Sequence, residues 1–199
     1  MAVTGDVAWF VGLLVAVGAG RLVEMKLSRR HQTRLRARGF TREREAGFPL
    51  MVMLHTGVLV GAAIEVLVAR RPLIPALAWP ALGAFLLANA LRFWVIRSMA
   101  DHWNVNVVNS LALGVVTSGP YRWVRHPNYV AVFVELLALP LVHTAFITAL
   151  VGGALHVVVL GRRLALEDRM LLSDPAYRAA MAEKPRFLPR LLPRLRASS

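Results

Sequence analysis

Five apolar segments divide this chain, and they leave little room for a water-soluble architecture. They run about Val7 to Val23, Phe48 to Ala69, Ile74 to Ile96, Tyr129 to Leu141 and Thr144 to Leu160. The first three approach the ~20 residues a helix needs to cross a bilayer's hydrocarbon core. Only Pro140 and the polar pair His143–Thr144 separate the last two. These two segments read as one helical hairpin, with Pro140 breaking the hydrogen-bond ladder. Gly152 and Gly153 in the fifth segment let another helix approach closely. The expected fold is all-α: an integral membrane helical bundle of about five transmembrane helices, its last two a hairpin, with cytoplasmic segments between the spans. Hydrophobic residues make up 57% of the chain and mean hydropathy is +0.54, too apolar for an ordinary soluble domain of 199 residues.

The formal charge of +13 fits this reading, because Lys and Arg gather between the apolar segments. Residues 24–46 carry eight, 97–128 carry three and 161–199 carry nine, against Arg70 and Arg71 alone between the second and third segments. The positive-inside rule then puts the three basic stretches in the cytoplasm and the N-terminus outside. The expected location is the inner (plasma) membrane, multi-pass. A nucleic-acid binder reaches such a charge too, but not with five membrane-length apolar runs, so no nucleic-acid partner is expected. There is no cysteine, which removes disulfides, thiol nucleophiles and cysteine metal sites. MAVTGDVAWF lacks the basic start of a signal peptide, so the first segment reads as a retained span. A single domain is expected, with N-terminal spans over 1–75, a functional core over 76–175 and a basic tail over 176–199. From Lys184 onward the tail reads as lying on the anionic leaflet or loose.

The stretch GPYRWVRHPNY, residues 119–129, is dense in rigid and polar groups just before the fourth segment. Gly119–Pro120 predicts a turn. Pro127 restrains His126 from helical geometry and opens the next helix. The polar cluster therefore falls at a helix N-terminus, where free N–H groups and the positive dipole end suit a carboxylate or phosphate. Upstream, Val105, Val107 and Val108 in DHWNVNVV suggest a short extended piece. A second cluster, RRLALEDRM at 162–170, lies where the fifth segment ends. Arg163 and Glu167 are four apart and share a helical face, which is either a surface ion pair or a ligand-binding carboxylate beside a cation.

His55, Glu65, Asn89, Arg92 and Glu135 lie within the spans, where polar groups are costly and face a cavity or a partner. Each has a bland reading as well. Arg92 snorkels to the interface, Glu65 sits beside Arg70, and His55 is a satisfied core group. Trp94, Trp103 and Trp123 read as an aromatic belt. No Gly-rich dinucleotide motif, phosphate loop or HExxH is present, and no metal is expected.

Taken in order, a Trp-containing piece, L-x-V-V-T-S-G-P-Y-x-x-x-R-H-P-x-Y, an apolar hairpin and R-x-x-x-E-D resemble the isoprenylcysteine carboxyl methyltransferase family of integral membrane methyltransferases, over about residues 80–175. The resemblance implies S-adenosylmethionine as methyl donor, held in a cytoplasmic pocket roofed by the C-terminal region. It also implies a lipophilic small-molecule acceptor entering from the bilayer. Matched residue by residue, Leu113, Gly114, Val115 and Val116 would line the cofactor. Tyr121, His126, Pro127, Asn128 and Tyr129 would contact it, Glu167 would hold it, and Asn106 would add a polar contact. Arg163 would face the acceptor. The sequence departs from the pattern at Ala131, where the family usually has Gly, and at Glu167–Asp168, where it has Glu-Glu. The stretch HTGVLVGAAIE (55–65) looks like bacterial members found with alkylpyrone and phenolic-lipid pathways.

O-methylation of such a lipid is the expected reaction, with prenylcysteine carboxyl methylation and phospholipid N-methylation as alternatives. A carboxylate or enolate acceptor is already ionised near pH 7 and needs only orientation, by Arg163. A phenol gains from a base, for which Glu135 and His55 are the candidates. A small transporter would explain the buried charges but predicts two related halves, which the sequence lacks. A non-catalytic scaffold predicts that the 113–129 and 163–167 clusters bind nothing.

Overall fold

The computed structural model describes residues 5–37, 48–100, 103 and 114–189. The regular elements among those residues are all helical. The order is α1 (Gly5–Ala37), α2 (Phe48–Val68), α3 (Pro75–Met99), a 3-10 turn (Gly119–Arg122), α4 (Pro127–Leu141), α5 (Phe146–Ser173) and α6 (Pro175–Met181).

Each of the five apolar segments becomes a helix. Four of these, α1, α2, α3 and α5, are long and apolar enough to cross a bilayer. α4 has 15 residues and rises only ~22 Å, short of a full crossing by itself. α4 turns back within four residues into α5 and packs between α3 and α5. Pro140 sits one residue before the end of α4 rather than in a break between two segments. α1 and α5 run well past their apolar stretches, because Arg, Lys, Glu and Leu are all good helix formers. Prolines mark three helix starts, at Pro75, Pro127 and Pro175, where a missing N–H costs nothing. At the last of these the Asp174 carboxylate accepts the Tyr177 amide at 2.8 Å as an N-cap.

The core is small and central. Phe10 and Leu14 of α1, Ala62 and Val66 of α2, Phe85 of α3 and Leu139 of α4 meet there. The outer faces are apolar as well: Leu87 and Leu150 are 74% exposed and Trp79 is 70% exposed. A soluble chain does not present so much apolar surface, so these faces meet lipid. The Gly152–Gly153 pair is where α5 is approached from two sides. A methyl group at Gly152 would stand 2.6 Å from Val58 Cγ2 of α2, and one at Gly153 would stand 2.6 Å from Leu137 Cδ2 of α4.

Glu65 is buried within the bundle. Arg71 reaches it at 2.9 Å, and it accepts the amides of Ile147 (3.1 Å) and Thr148 (2.8 Å) and the Thr148 hydroxyl. A carboxylate on α2 thus caps the first turn of α5, whose own N-cap residue, Ala145, has no side chain to offer.

Candidate functional site

Gly119 has φ +56°, and a Cβ there would collide with the Ser98 side chain. That turn seats the GPYR element against the end of α3, with the Tyr121 hydroxyl donating to Met99 Sδ at 2.9 Å. Burial pushes the Tyr121 phenol above its ordinary pKa, as it does for Tyr177, and the Glu167 carboxylate adds to both. His126 then caps α4 in non-helical geometry, as Pro127 requires.

His126 Nε2 donates to Asp168 Oδ1 at 2.8 Å, and its other ring nitrogen is 3.9 Å from Glu167. Asp168 also receives Arg186 Nε at 2.9 Å and Arg125 at 3.5 Å. The C-terminal segment adds backbone bonds. The amides of Arg125 and His126 donate to Pro185 and Arg186 carbonyls, both at 2.9 Å. Lys184 Nζ donates to the Tyr121 carbonyl at 2.7 Å, and its burial lowers its pKa. Residues 184–186 are therefore tied across the RHPNY element, which corrects the expectation of a loose tail for these residues, while 190–199 lie outside the described residues.

One turn into α4, Tyr129 stacks on His126 with centroids 5.4 Å apart. Its hydroxyl accepts from Arg163 Nε at 3.0 Å and donates to Glu167 Oε2. Arg163 and Glu167, four apart on α5, thus meet at one phenol from the facing helix. Sequence spacing showed their shared face but not the partner between them.

These groups stand at one end of a cavity of about 350 Å³. Asn128, Tyr129 and Arg163 line it, with His55, His156 and Trp103, and its other walls are largely apolar side chains of α1 and α2. Asn128 Oδ1 is buried without a hydrogen-bond partner. Trp103 is 2% exposed and its carbonyl accepts from His31 Nδ1 at 3.0 Å, so it belongs to the cavity wall and not to an aromatic belt. Trp94 and Trp123 do lie at the surface, edge to face at 5.8 Å. Gly114, Val115 and Val116 form an irregular stretch leading to the turn. Asn106 and Leu113 lie outside the described residues, as does most of the DHWNVNVV stretch.

His55 donates from Nδ1 to the Met51 carbonyl at 2.7 Å and faces the cavity. Glu135 lies beside a smaller neighbouring cavity instead. Arg21 holds it at 3.0 Å and Arg92 stands 3.8 Å away, while Glu24 binds both arginines, at 2.8 Å from Arg21 and 3.0 Å from Arg92 Nε. Arg21 also reaches Asn89 at 3.3 Å. Arg92 is 8% exposed and paired rather than snorkelling. Two arginines and two glutamates thus cancel their charges between α1, α3 and α4. Arg21 and Glu24 fall at the edge of an apolar segment, where a signal for a buried network is weakest.

The isoprenylcysteine carboxyl methyltransferase (ICMT) family matches residues 81–173. The uncharacterized protein YpbQ of Bacillus subtilis is 28% identical over 152 residues, covering 76% of this chain and 89% of YpbQ. An uncharacterized protein of Haemophilus influenzae is 28% identical over 151 residues, covering 74% of this chain and 86% of that one. A solved structure of the eukaryotic intramembrane Ras methyltransferase ICMT shares the fold, with a TM-score of 0.53 at 23% identity over 66% of this chain. The chain spans about half of that structure, 48% of its length. The matched segment holds the RHPNY element, the α4–α5 pair and the Arg163–Glu167 face. Over residues 81–173, this integral membrane chain is similar to the isoprenylcysteine carboxyl methyltransferase family, a family of methyltransferases.

Proposed function

We propose that this protein is an S-adenosylmethionine-dependent methyltransferase that O-methylates a lipophilic small molecule drawn from the bilayer. The observation that carries this reading is the cavity itself. Asn128, Tyr129 and Arg163, with Arg21, Glu24 and Arg92, set polar and charged groups into a space whose remaining walls are largely apolar. The cofactor has amino, carboxylate, ribose and adenine groups to satisfy. The residues fit them: Asn128 Oδ1 is buried and unpartnered, Glu167 carries a carboxylate against the neighbouring Tyr129 hydroxyl, and the first turn of α4 has no side-chain cap and no acidic residue. In this reading Gly114 to Val116, Tyr121, His126, Pro127, Asn128, Tyr129 and Glu167 hold the cofactor, within a core spanning residues 76–175. S-adenosylmethionine, when bound, supplies a methyl group already activated on a sulfonium.

The chain then has to position the acceptor and keep water out. Leu22 lines the cavity and is 64% exposed on the bundle's outer surface, which supports an entrance from lipid between α1 and α2. Arg163, fixed on Tyr129, orients the acceptor's oxygen. Of the two candidate bases for a phenol, His55 stands on this cavity and Glu135 does not, which favours the His55 side. The basic stretches support placing the site at the cytoplasmic face. A second reading, carboxyl methylation of a prenylcysteine-like lipid, draws support from the family match and from Arg163 as a carboxylate partner.

The test is methyl transfer in nanodiscs, with S-adenosylmethionine labelled in its methyl group and a panel of alkylphenols, alkylpyrones and prenylcysteines. Label in an alkylphenol or alkylpyrone ether supports the first reading, and label in a prenylcysteine ester supports the second. Folded protein that binds the cofactor and transfers label to none of them contradicts both.

A further inference from the structure

Most polar groups inside this bundle are paired. Glu65 caps α5, Asn89 Nδ2 donates to the Phe85 carbonyl, and Glu24 and Glu135 are held by arginines. His156 is different. It is fully buried at 0% exposure, and neither Nδ1 nor Nε2 has a hydrogen-bond partner. Burying an imidazole in this way is costly unless something meets it. His156 also lines the main cavity. Its neighbours there are rings: His55 edge-on with centroids 5.9 Å apart and Phe133 stacked at 6.3 Å.

His55 completes the geometry. Its Nδ1–H is spent on the Met51 carbonyl, which leaves Nε2 with a lone pair when the ring is neutral. A neutral His156 offers one N–H and one lone pair. A hydroxyl group both donates and accepts, so it satisfies this pair. An ether or ester oxygen only accepts. Arg163 lies seven residues after His156, two turns along the same face of α5 and ~10 Å further along the axis. Its side chain tilts back toward the helix N-terminus, toward the histidines.

We propose that His156, with His55 beside it, is the recognition site for a hydroxyl group on the lipophilic acceptor, and that this pair makes the chain selective for phenol- or enol-bearing lipids. The inference deepens the proposed function and rests on its reading of the cavity as the acceptor site.

The experiment measures binding, without methyl donor, of 4-nonylphenol and its methyl ether to the full chain in nanodiscs. Wild type is compared with His156→Phe, and the ratio of the two affinities is compared between proteins so that partition into lipid cancels. The phenol-over-ether preference is expected to fall roughly tenfold in His156→Phe, the loss of one buried hydrogen bond. A preference unchanged by the substitution overturns the proposal. So does loss of phenol and ether binding together, which would mean that the ring only shapes the cavity. If His156→Phe does not fold, His55→Phe decides, with a reduced preference expected and an unchanged one contradicting. S-adenosylhomocysteine binding to wild type is measured alongside. Its absence would sink the methyltransferase reading while leaving the hydroxyl preference to stand or fall by itself.

Discussion

His126 and Asp168 lie 42 residues apart in sequence and 2.8 Å apart in space. That bond joins the cap of α4 to the far end of α5. Asp168 carries Arg125 and Arg186 as well, so one carboxylate fixes the RHPNY element, the end of α5 and the C-terminal segment to each other. Asp168→Ala removes the common acceptor and leaves buried donors without a partner. We expect a loss of about 3 kcal/mol in stability, the usual cost of breaking a buried charge pair from one side. Limited trypsin digestion checks where the damage falls: cleavage after Arg186 should be the first to accelerate.

Glu65 caps a helix that is not its own. Glu65→Gln keeps one acceptor oxygen but loses the charge that Arg71 and the α5 amides share. The expected cost is about 1–3 kcal/mol, read as a lowered thermal midpoint in detergent. Glu65→Ala should cost more, because both amides lose their acceptor.

Gly152 and Gly153 of α5 should respond differently. A helical Gly→Ala exchange gains up to about 1 kcal/mol from backbone entropy. At Gly153 the new methyl group meets the end of a flexible leucine, which can turn aside, so Gly153→Ala should be near neutral. At Gly152 it meets a γ-methyl of β-branched Val58, which cannot. Gly152→Ala should therefore lose a net ~1–2 kcal/mol in the same thermal assay.

Tyr121 and Tyr177 predict an alkaline limit. Their folded pKa values lie above the ordinary 10.0 of an unfolded tyrosine. Above pH 10 the unfolded chain releases these protons while the folded chain keeps them, so stability falls as pH rises. Each tyrosine adds a slope of about 1.4 kcal/mol per pH unit. Lys184 acts oppositely. Its folded pKa is depressed, so its contribution rises with pH until the unfolded value of 10.5 and then levels off. Denaturation between pH 9 and 11.5 should show the net decline, and Tyr121→Phe should remove about one tyrosine's share of the slope.

Much of the architecture is legible in the sequence. Hydropathy marks α1 to α5, and Pro127 marks the start of α4. The helix ends are less legible, because a charged stretch such as 24–37 stops being apolar without ceasing to be a good helix. In the candidate site, the Arg163–Glu167 face follows from spacing of four, and the RHPNY cluster at a helix N-terminus follows from its proline. What spacing cannot show is which side chain from another helix comes between them. Tyr129 bridges Arg163 and Glu167 across 34 and 38 residues. Asp168, seen in sequence only as the neighbour of Glu167, points to a different partner because consecutive helical residues face ~100° apart. His156 gave no signal in sequence, since one histidine in an apolar helix looks like any other core residue. Only its unpaired nitrogens and the cavity beside it distinguish it.

The most direct test of the account is calorimetric binding of S-adenosylhomocysteine to the purified protein, with Asn128→Ala and Glu167→Gln beside it. Asn128 Oδ1 is buried without a partner, so Asn128→Ala should leave the thermal midpoint unchanged or raised while weakening the cofactor. The account predicts clear binding in wild type and a loss of roughly tenfold or more in each variant. Absence of binding to folded wild-type protein, or binding that neither substitution changes, would contradict it.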